Sequence, residues 1–174
     1  MNYSAIKKCD VANGPGVRVS LFVSGCTHHC KGCFNEETWD FKFGNEFTQA
    51  QEDEIINLLK PDYIKGFSLL GGEPFEVANQ KVLVKLLKRI KETYPKKTVW
   101  CYTGYLLDDE LLSESRARCE VTDEMLSYID ILVDGEFKED LKDLRLRFRG
   151  SSNQRIIDLR ATLARDEIVW WKDL

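Results

Sequence analysis

The sequence lacks a long apolar segment, a secretory leader and an excess of positive charge. No apolar run approaches the ~20 residues that span a bilayer, and the N-terminus MNYSAIKKCD has no signal-peptide core. Lys and Arg total 25 against 29 for Asp and Glu, which gives a net charge of −4. Such a surface gives no support to nucleic-acid binding. We therefore expect a cytoplasmic protein that binds neither membrane nor nucleic acid.

The chain does have the composition of a globular domain. Hydrophobic residues make up 43% of its 174 residues and charged residues 31%, a mixture that argues against a disordered chain. Domains usually hold about 100–200 residues, and no linker divides this sequence. We expect a single domain over residues 1–174.

Segments typical of strands alternate with segments typical of helices. Runs of β-branched and apolar residues predict strands at 17–23, 66–70, 98–102 and 129–133. Apolar residues at helical spacing predict a helix over about 79–94, and Thr48 with Gln51 predicts a capped helix through about Lys60. The last three strands begin about 30 residues apart, which is typical of βαβ units. The sequence thus predicts an α/β fold with a parallel sheet.

The six cysteines form one cluster and three isolated positions. Without an export signal they are not expected to form a disulfide framework. Three need no special role, because a free cysteine often behaves as a small buried hydrophobe: these are Cys9, Cys101 and Cys119. The others, Cys26, Cys30 and Cys33, have the spacing C-x3-C-x2-C. Thiolates so close together can converge on one soft metal centre.

Three clustered thiolates leave more than one kind of site open. Structural zinc normally takes four ligands, and His28 or His29 could supply the fourth, although wrapping one ion in so tight a loop would be strained. A cluster of four irons is larger and accepts cysteines from a single loop, with one iron left open. If neither histidine binds a metal, both are expected to be solvated loop residues. The spacing leaves an iron–sulfur cluster, a zinc knuckle and a metal-free loop as alternatives.

A second motif, GGEP at 71–74, follows the predicted strand 66–70 just as the cysteines follow the strand 17–23. Loops that follow parallel strands gather at one edge of the sheet. The two motifs should therefore face each other across one site. The glycines would let a ligand approach the backbone closely, and Glu73 would suit a cationic ligand group.

With both motifs in this order, the sequence resembles the radical S-adenosylmethionine enzymes, and among them the activases of glycyl-radical enzymes. Further segments that carry the resemblance are 13–18 (NGPGVR), 34–35 with 38–39, 103–105 (TGY), 133–137 (VDGEF) and 148–154 (FRGSSNQ). The resemblance covers residues from about 5 to 160. The polar stretch around 113–122 is expected to be a surface insertion that touches no motif, and the chain beyond Arg160 an extension.

The resemblance implies a shortened, open parallel (βα) barrel with one 4Fe–4S cluster on Cys26, Cys30 and Cys33. S-adenosylmethionine would bind the iron that lacks a cysteine. Its contacts would come from Gly32, Cys33, Phe34, Gly71, Gly72 and Glu73. Reductive cleavage of this cofactor, with electrons from a flavodoxin-like donor, would generate a glycyl radical on an anaerobic ribonucleoside-triphosphate reductase. No catalytic side chain beyond cluster and cofactor is implied.

Other functions remain as alternatives. Activation of a different glycyl-radical enzyme, such as pyruvate formate-lyase, is the nearest, although chain length and the 148–154 segment disfavour it. A small-molecule radical enzyme such as 7-carboxy-7-deazaguanine synthase also has a short chain. From a different class, an iron–sulfur electron carrier or a zinc module would need no substrate. An electron carrier would want a fourth cysteine near the triplet, and the other three cysteines are distant in sequence.

Overall fold

The computed structural model describes residues 1–172, which form an α/β fold around one seven-stranded sheet. The strands are β1 (Asn2–Asp10), β2 (Val17–Val23), β3 (Asn45–Glu46), β4 (Ile64–Gly71), β5 (Thr98–Tyr102), β6 (Ile131–Asp134) and β7 (Arg155–Asp158). The α-helices are α1 (Gln49–Leu58), α2 (Val77–Thr93), α3 (Thr122–Ser127) and α4 (Leu159–Arg165). Short helical turns lie at Glu36–Trp39, Leu107–Leu111 and Glu139–Leu141. The predicted domain covers residues 1–174, and its last two residues lie outside the part of the chain that the structure describes.

The four predicted strands are confirmed, with small shifts at their ends. The strands predicted at 17–23 and 98–102 have the bounds of β2 and β5. The segment 66–70 lies within β4, and the segment 129–133 begins two residues before β6. These strands form the parallel centre of the sheet, through the pairs β2–β4, β4–β5 and β5–β6.

The two predicted helices are confirmed as α1 and α2. Helix α1 begins with the predicted capping box, in which Thr48 accepts the amide of Ala50 and Gln51 accepts the amide of Thr48 at 2.8 Å. Helix α2 ends just before Tyr94 and Pro95, and a proline cannot continue a helix because it lacks the amide donor. In residues 1–172 no helix combines the length and the apolarity needed to cross a membrane.

Three strands that the sequence did not predict flank the parallel centre. On one side β1 pairs with β2 and β3, and on the other β7 pairs with β6; all three pairings are antiparallel. The strand order is therefore the linear series β3-β1-β2-β4-β5-β6-β7. The predicted α/β class with a parallel centre is confirmed, whereas the outer strands depart from the all-parallel arrangement that the resemblance implied.

The sheet has one face covered by helices and one face that bears the site. Side chains alternate between the two faces of a strand. In β2, Val19 and Leu21 belong to one buried hydrophobic cluster that includes residues of all four helices. Ser20 and Phe22, which alternate with them, point to the opposite face. The hydrophobic core thus lies between sheet and helices, and the other face is free to carry polar groups.

Arg18 ties three strands together on the site face. Its side chain is almost fully buried, and it donates to Ser68 Oγ at 2.8 Å, to the Phe67 carbonyl at 3.0 Å and to the Thr98 carbonyl at 2.9 Å. Burial lowers the pKa of Arg18 to about 10. Gly66 leaves room for this crossing, because a Cβ there would lie 2.0 Å from the Thr98 carbonyl oxygen. The arginine of the NGPGVR segment therefore has a structural role that links β2, β4 and β5.

The chain beyond β7 returns to the sheet. The Asp158 amide donates to the Val169 carbonyl at 2.9 Å and the Trp171 amide to the Ile156 carbonyl at 3.0 Å, so residues 169–171 pair antiparallel with β7. The Trp171 ring packs edge-on against Trp100 of β5, with ring centroids 5.2 Å apart. The part of the predicted extension that is described thus covers the edge of β7 and contributes an aromatic side chain to the site face.

The core contributed by α2 can be tested with Leu87→Ala. Leu87 is fully buried between α2 and the sheet, so the truncation should lower the free energy of unfolding by about 2–5 kcal/mol. Lys88→Ala is the matched control, because Lys88 is exposed one position along the same helix and should change it by less than about 0.5 kcal/mol. Urea denaturation measures both, and equal losses would contradict this account of the core.

Candidate functional site

A cavity of about 570 Å³ lies at the carboxyl ends of the parallel strands, on the face opposite the helices. Pockets for small organic ligands typically measure about 300–1,000 Å³. Of the residues that the sequence analysis selected, those that line the cavity are Cys26, Cys30, Cys33, Phe34, Gly71, Gly72 and Glu73. Gly32 lies outside the lining, in a left-handed conformation with φ of +74°, and a Cβ there would lie 3.0 Å from Glu139 Oε1. The selected residues therefore meet at one site, with Gly32 behind its wall.

The cysteine segment (residues 23–33) and the GGEP turn are joined directly by hydrogen bonds between their backbones. This confirms that the two motifs face each other. The Gly72 amide donates to the Val23 carbonyl at 2.7 Å, and the Glu73 amide donates to the Gly25 carbonyl at 2.8 Å. A Cβ at Gly72 would lie 2.6 Å from the Gly25 oxygen, and one at Gly71 would lie 2.4 Å from the Val23 amide nitrogen. The paired glycines thus let two segments of the chain itself approach each other, a role that the sequence analysis had given to a ligand.

The Glu73 carboxylate is the centre of the polar network at this site. It is buried, with 1% of the residue exposed. One oxygen accepts the Phe75 amide and the Thr103 hydroxyl, and the other accepts the Gly104 amide and contacts His28 Nε2; each distance is 2.8 Å. A buried carboxylate is stable only when its lone pairs have partners. Glu73 therefore fixes the GGEP turn, the loop after β5 and the cysteine segment to one another.

His28 is a site residue that the sequence analysis missed, because the expectation of a solvated side chain is wrong for it. Only 4% of its side chain is exposed. The ring bridges Glu73 at 2.8 Å and Glu136 at 3.0 Å, and packs on Tyr105 with ring centroids 4.4 Å apart. Burial alone would lower the pKa of His28, but the bonds to Glu73 and then Glu136 outweigh it and raise that pKa. No sequence signal indicated this, since Glu136 lies 108 positions away.

His29, by contrast, is exposed as expected. It adopts a left-handed conformation with φ of +52° and stacks on Trp39, with ring centroids 4.4 Å apart. Within residues 1–172, no three His, Cys, Asp or Glu side chains are arranged closely enough to hold a single metal ion. Both nitrogens of His28 are already bound to carboxylates. His28 therefore has no nitrogen left with which to complete a zinc site.

The three thiols of the cavity wall differ in their surroundings. Burial raises the pKa of Cys26 to about 12, and burial together with the charge of Glu136 raises the pKa of Cys30. The Asn35 amide donates to Cys33 Sγ at 3.4 Å. Thiols with raised pKa values remain protonated at neutral pH, so a metal must displace their protons when it binds. Three sulfur donors in one wall suit a soft metal centre, and they fit an iron–sulfur cluster.

The segments 133–137 and 148–154, which the resemblance had singled out, also line the cavity, and the first of them contacts the cysteine loop through the bond between His28 and Glu136. Gln154 donates to the Gly135 carbonyl at 3.0 Å and accepts the Gly150 amide at 2.8 Å, so its side-chain amide joins the two segments. Phe137 then packs on Phe34, with ring centroids 5.1 Å apart. Phe34 is 61% exposed, which places an apolar side chain at the mouth of the cavity.

One residue of the cavity lining, Trp39, carries a buried polar atom without a hydrogen-bond partner among the described residues. This atom is the indole nitrogen. Buried donors in folded proteins are nearly always paired.

Comparison with known proteins gives a consistent result. The family model described as a 4Fe-4S single cluster domain matches residues 12–157. The chain is 46% identical over 162 residues to the anaerobic ribonucleoside-triphosphate reductase-activating protein of Escherichia coli K12, a match that covers 92% of this chain and 100% of that protein. Proteins with the same name from Vibrio cholerae and Enterobacteria phage T4 are 46% and 39% identical; both matches cover 90% of this chain, and 97% and 93% of those proteins respectively.

Replacement of Gly72 by alanine should disturb the cysteine segment itself. The new Cβ would meet two backbone oxygens, those of Gly25 at 2.6 Å and Thr38 at 2.9 Å, so the backbone must shift. We expect clearly reduced iron uptake on anaerobic reconstitution, measured by iron analysis. Gly150→Ala is the control, because its Cβ would meet only aromatic carbons, of which Phe137 Cδ2 at 3.0 Å is the nearest, and a ring can turn aside. Normal iron uptake by Gly72→Ala would contradict the inferred close approach.

Loss of the Glu73 carboxylate should be costly even without any cofactor. Glu73→Ala leaves the buried Phe75 amide, the partly buried Gly104 amide and the Thr103 hydroxyl without an acceptor, so we expect the free energy of unfolding to fall by about 3–5 kcal/mol. Glu54→Ala, at an exposed position in α1, should change it by less than about 0.5 kcal/mol. Urea denaturation of the cofactor-free protein measures both. A loss below about 1 kcal/mol for Glu73→Ala would refute the central role of this carboxylate.

Proposed function

The chain belongs to the family of anaerobic ribonucleoside-triphosphate reductase-activating proteins, and we propose that it activates such a reductase by generating a glycyl radical on it. The reaction would proceed through reductive cleavage of S-adenosylmethionine at a 4Fe–4S cluster. The observation that carries the proposal is the single cavity in which three cysteine thiols meet the GGEP turn. The family model, described as a 4Fe-4S single cluster domain, supports the cluster.

Cys26, Cys30 and Cys33 would hold the cluster. All three line the same wall of the cavity, and sulfur is the donor that iron–sulfur clusters require. Three thiolates would leave one of the four irons without a protein ligand. When bound, the cluster supplies the electron for cleavage of S-adenosylmethionine, and this cleavage provides the reactivity needed to oxidise a glycine.

S-adenosylmethionine would occupy the rest of the cavity, in contact with the segments 32–34 and 71–73. The volume of about 570 Å³ can accommodate a small organic cofactor. The Glu73 carboxylate already has four polar partners inside the protein. We therefore assign the cofactor contacts of the segment 71–73 to its backbone and assign Glu73 the task of holding that backbone in place.

The residues around the cavity would position the reactants and supply no acid–base chemistry. His28 and Glu73 would hold the cysteine segment against the GGEP turn. Phe34 and Phe137 would form an apolar rim at which a peptide loop of the reductase could enter. An open cavity suits a macromolecular substrate, because a small molecule is usually enclosed on most of its surface.

We also propose that the open sheet is a shortened barrel of the radical S-adenosylmethionine type, forming one domain over the whole chain. The placement of all helices on one face and of the cavity on the other supports this. A flavodoxin-like protein is the proposed electron donor. The resemblance alone supports that donor.

Among the candidate functions, the comparisons favour activation of the anaerobic reductase. The relatives named above all carry the name of its activating protein. Activation of pyruvate formate-lyase stays the second candidate, because the same cluster and cavity would serve it. A zinc module is disfavoured by the family model and by the engagement of both His28 nitrogens with carboxylates.

The test is an anaerobic assay on matched cysteine variants. The reconstituted chain should hold about four iron and four sulfide. With a reductant, S-adenosylmethionine and an anaerobic reductase, it should produce a glycyl doublet in electron paramagnetic resonance. Cys33→Ala should lose both properties. Cys9→Ala should keep both, because Cys9 is exposed on β1, outside the cavity lining.

Three results would contradict the proposal in different ways. Stoichiometric zinc without sulfide would overturn the cluster. A doublet on pyruvate formate-lyase but not on the reductase would move the chain to the second candidate. Efficient turnover of a free small molecule would overturn both glycyl-radical functions.

A further inference from the structure

We propose that Arg116 is a positioning residue for the cysteine segment, acting through Thr27. The inference rests on the proposed function only in taking the loop from Cys26 to Cys33 as the one that holds the cluster. Arg116 lies in the polar stretch 113–122, which the sequence analysis expected to touch no motif. That expectation is wrong, because Arg116 Nη1 donates to Thr27 Oγ1 at 2.8 Å across 89 positions of sequence.

The stretch 113–122 is anchored to the fold by a buried amide. Gln80 of α2 is fully buried, and it donates to the Ala117 carbonyl at 2.6 Å and accepts the Thr122 hydroxyl at 2.6 Å. Ala117 is itself fully buried. A buried amide with satisfied hydrogen bonds rigidifies its surroundings. Arg116 therefore extends from a backbone that is fixed at the next residue, Ala117.

The guanidinium of Arg116 is further oriented by an aromatic ring. It lies over Tyr105, with its central carbon 5.4 Å from the ring centroid, a distance at which cation–π attraction operates. The same ring packs on His28. Arg116 is thus held toward the cysteine segment by contacts other than its bond to Thr27.

Thr27 is also held by Glu76, from a different element. Glu76 Oε1 accepts both the Thr27 amide at 2.7 Å and the Thr27 hydroxyl at 2.6 Å. Glu76 directly precedes α2, the helix that carries Gln80. The hydroxyl of Thr27 therefore donates to a carboxylate and accepts from a guanidinium, and charged partners make both hydrogen bonds stronger than neutral ones.

This arrangement fixes the backbone between two metal ligands. Thr27 directly follows Cys26 and lies three positions before Cys30, so its place and orientation limit where both sulfurs can lie. Residues that orient metal ligands affect metal affinity and the properties of the metal without touching it. Arg116, Thr27 and Glu76 would therefore hold the ligand loop in the shape that the cluster needs and slow the release of iron from it.

The experiment compares Arg116→Ala with Arg118→Ala. Both remove one positive charge from the same stretch, but Arg118 binds Asp123 and the Leu111 carbonyl, neither of which belongs to the cysteine segment. In the cofactor-free protein, hydrogen exchange of the amides from Cys26 to Cys30 should rise about three- to tenfold in Arg116→Ala, because one charged hydrogen bond is lost. It should stay unchanged in Arg118→Ala. Arg116→Lys, which keeps a donor, should restore most of the protection.

In the reconstituted protein, a chelator should remove iron from Arg116→Ala about three- to tenfold faster, and the line shape of the reduced cluster in electron paramagnetic resonance should change. Thr27→Val should have effects at least as large, because it also removes the hydroxyl bond to Glu76. The double variant should be no worse than Thr27→Val alone, because Arg116 acts through its bond to Thr27. Unchanged exchange in Arg116→Ala, or equal effects in Arg118→Ala, would overturn the inference. A wild-type chain without a cluster would overturn the proposed function, while the exchange comparison would still decide the role of Arg116.

Discussion

The burial of one carboxylate, that of Glu73, is the constraint on which the arrangement of the site depends. A buried charge must find donors on every side, and Glu73 finds them in its own turn, in the loop after β5 and in the cysteine segment. Three strand-following loops are thereby tied to one point. The positions of the three thiols in the cavity lining therefore depend on this connection as well as on the spacing of the cysteines along the chain.

The same constraint explains why several short motifs occur together in one chain. The glycines before Glu73 let the cysteine segment approach. Thr103 and Gly104 donate further hydrogen bonds to the Glu73 carboxylate. Each motif is a common turn when taken alone. Their combination is specific because each supplies donors or space that the others need.

The sequence was informative where local physics decides the outcome. The parallel strands, the Thr48 capping box, the end of α2 before Pro95 and the meeting of the two motifs follow from propensity and topology. What it could not show depends on contacts between distant residues. The burial of His28 depends on Glu136, and the role of the 113–122 stretch depends on one bond between Arg116 and Thr27. The antiparallel strands β1 and β7 were missed because mixed charge and apolar residues hide their alternation.

The two edges of the sheet have a consequence for how this protein meets others. A free strand edge invites another chain to pair with it, through β-augmentation or aggregation. Here one edge strand, β3, has only two residues, and the other, β7, is paired with residues 169–171. The β7 end therefore offers little open backbone, whereas β3 pairs only with Asn2 and Tyr3, so that from Ser4 to Asp10 β1 has no strand partner on that side among the described residues. A partner that adds a strand to this sheet would therefore pair with β1 and not with β7.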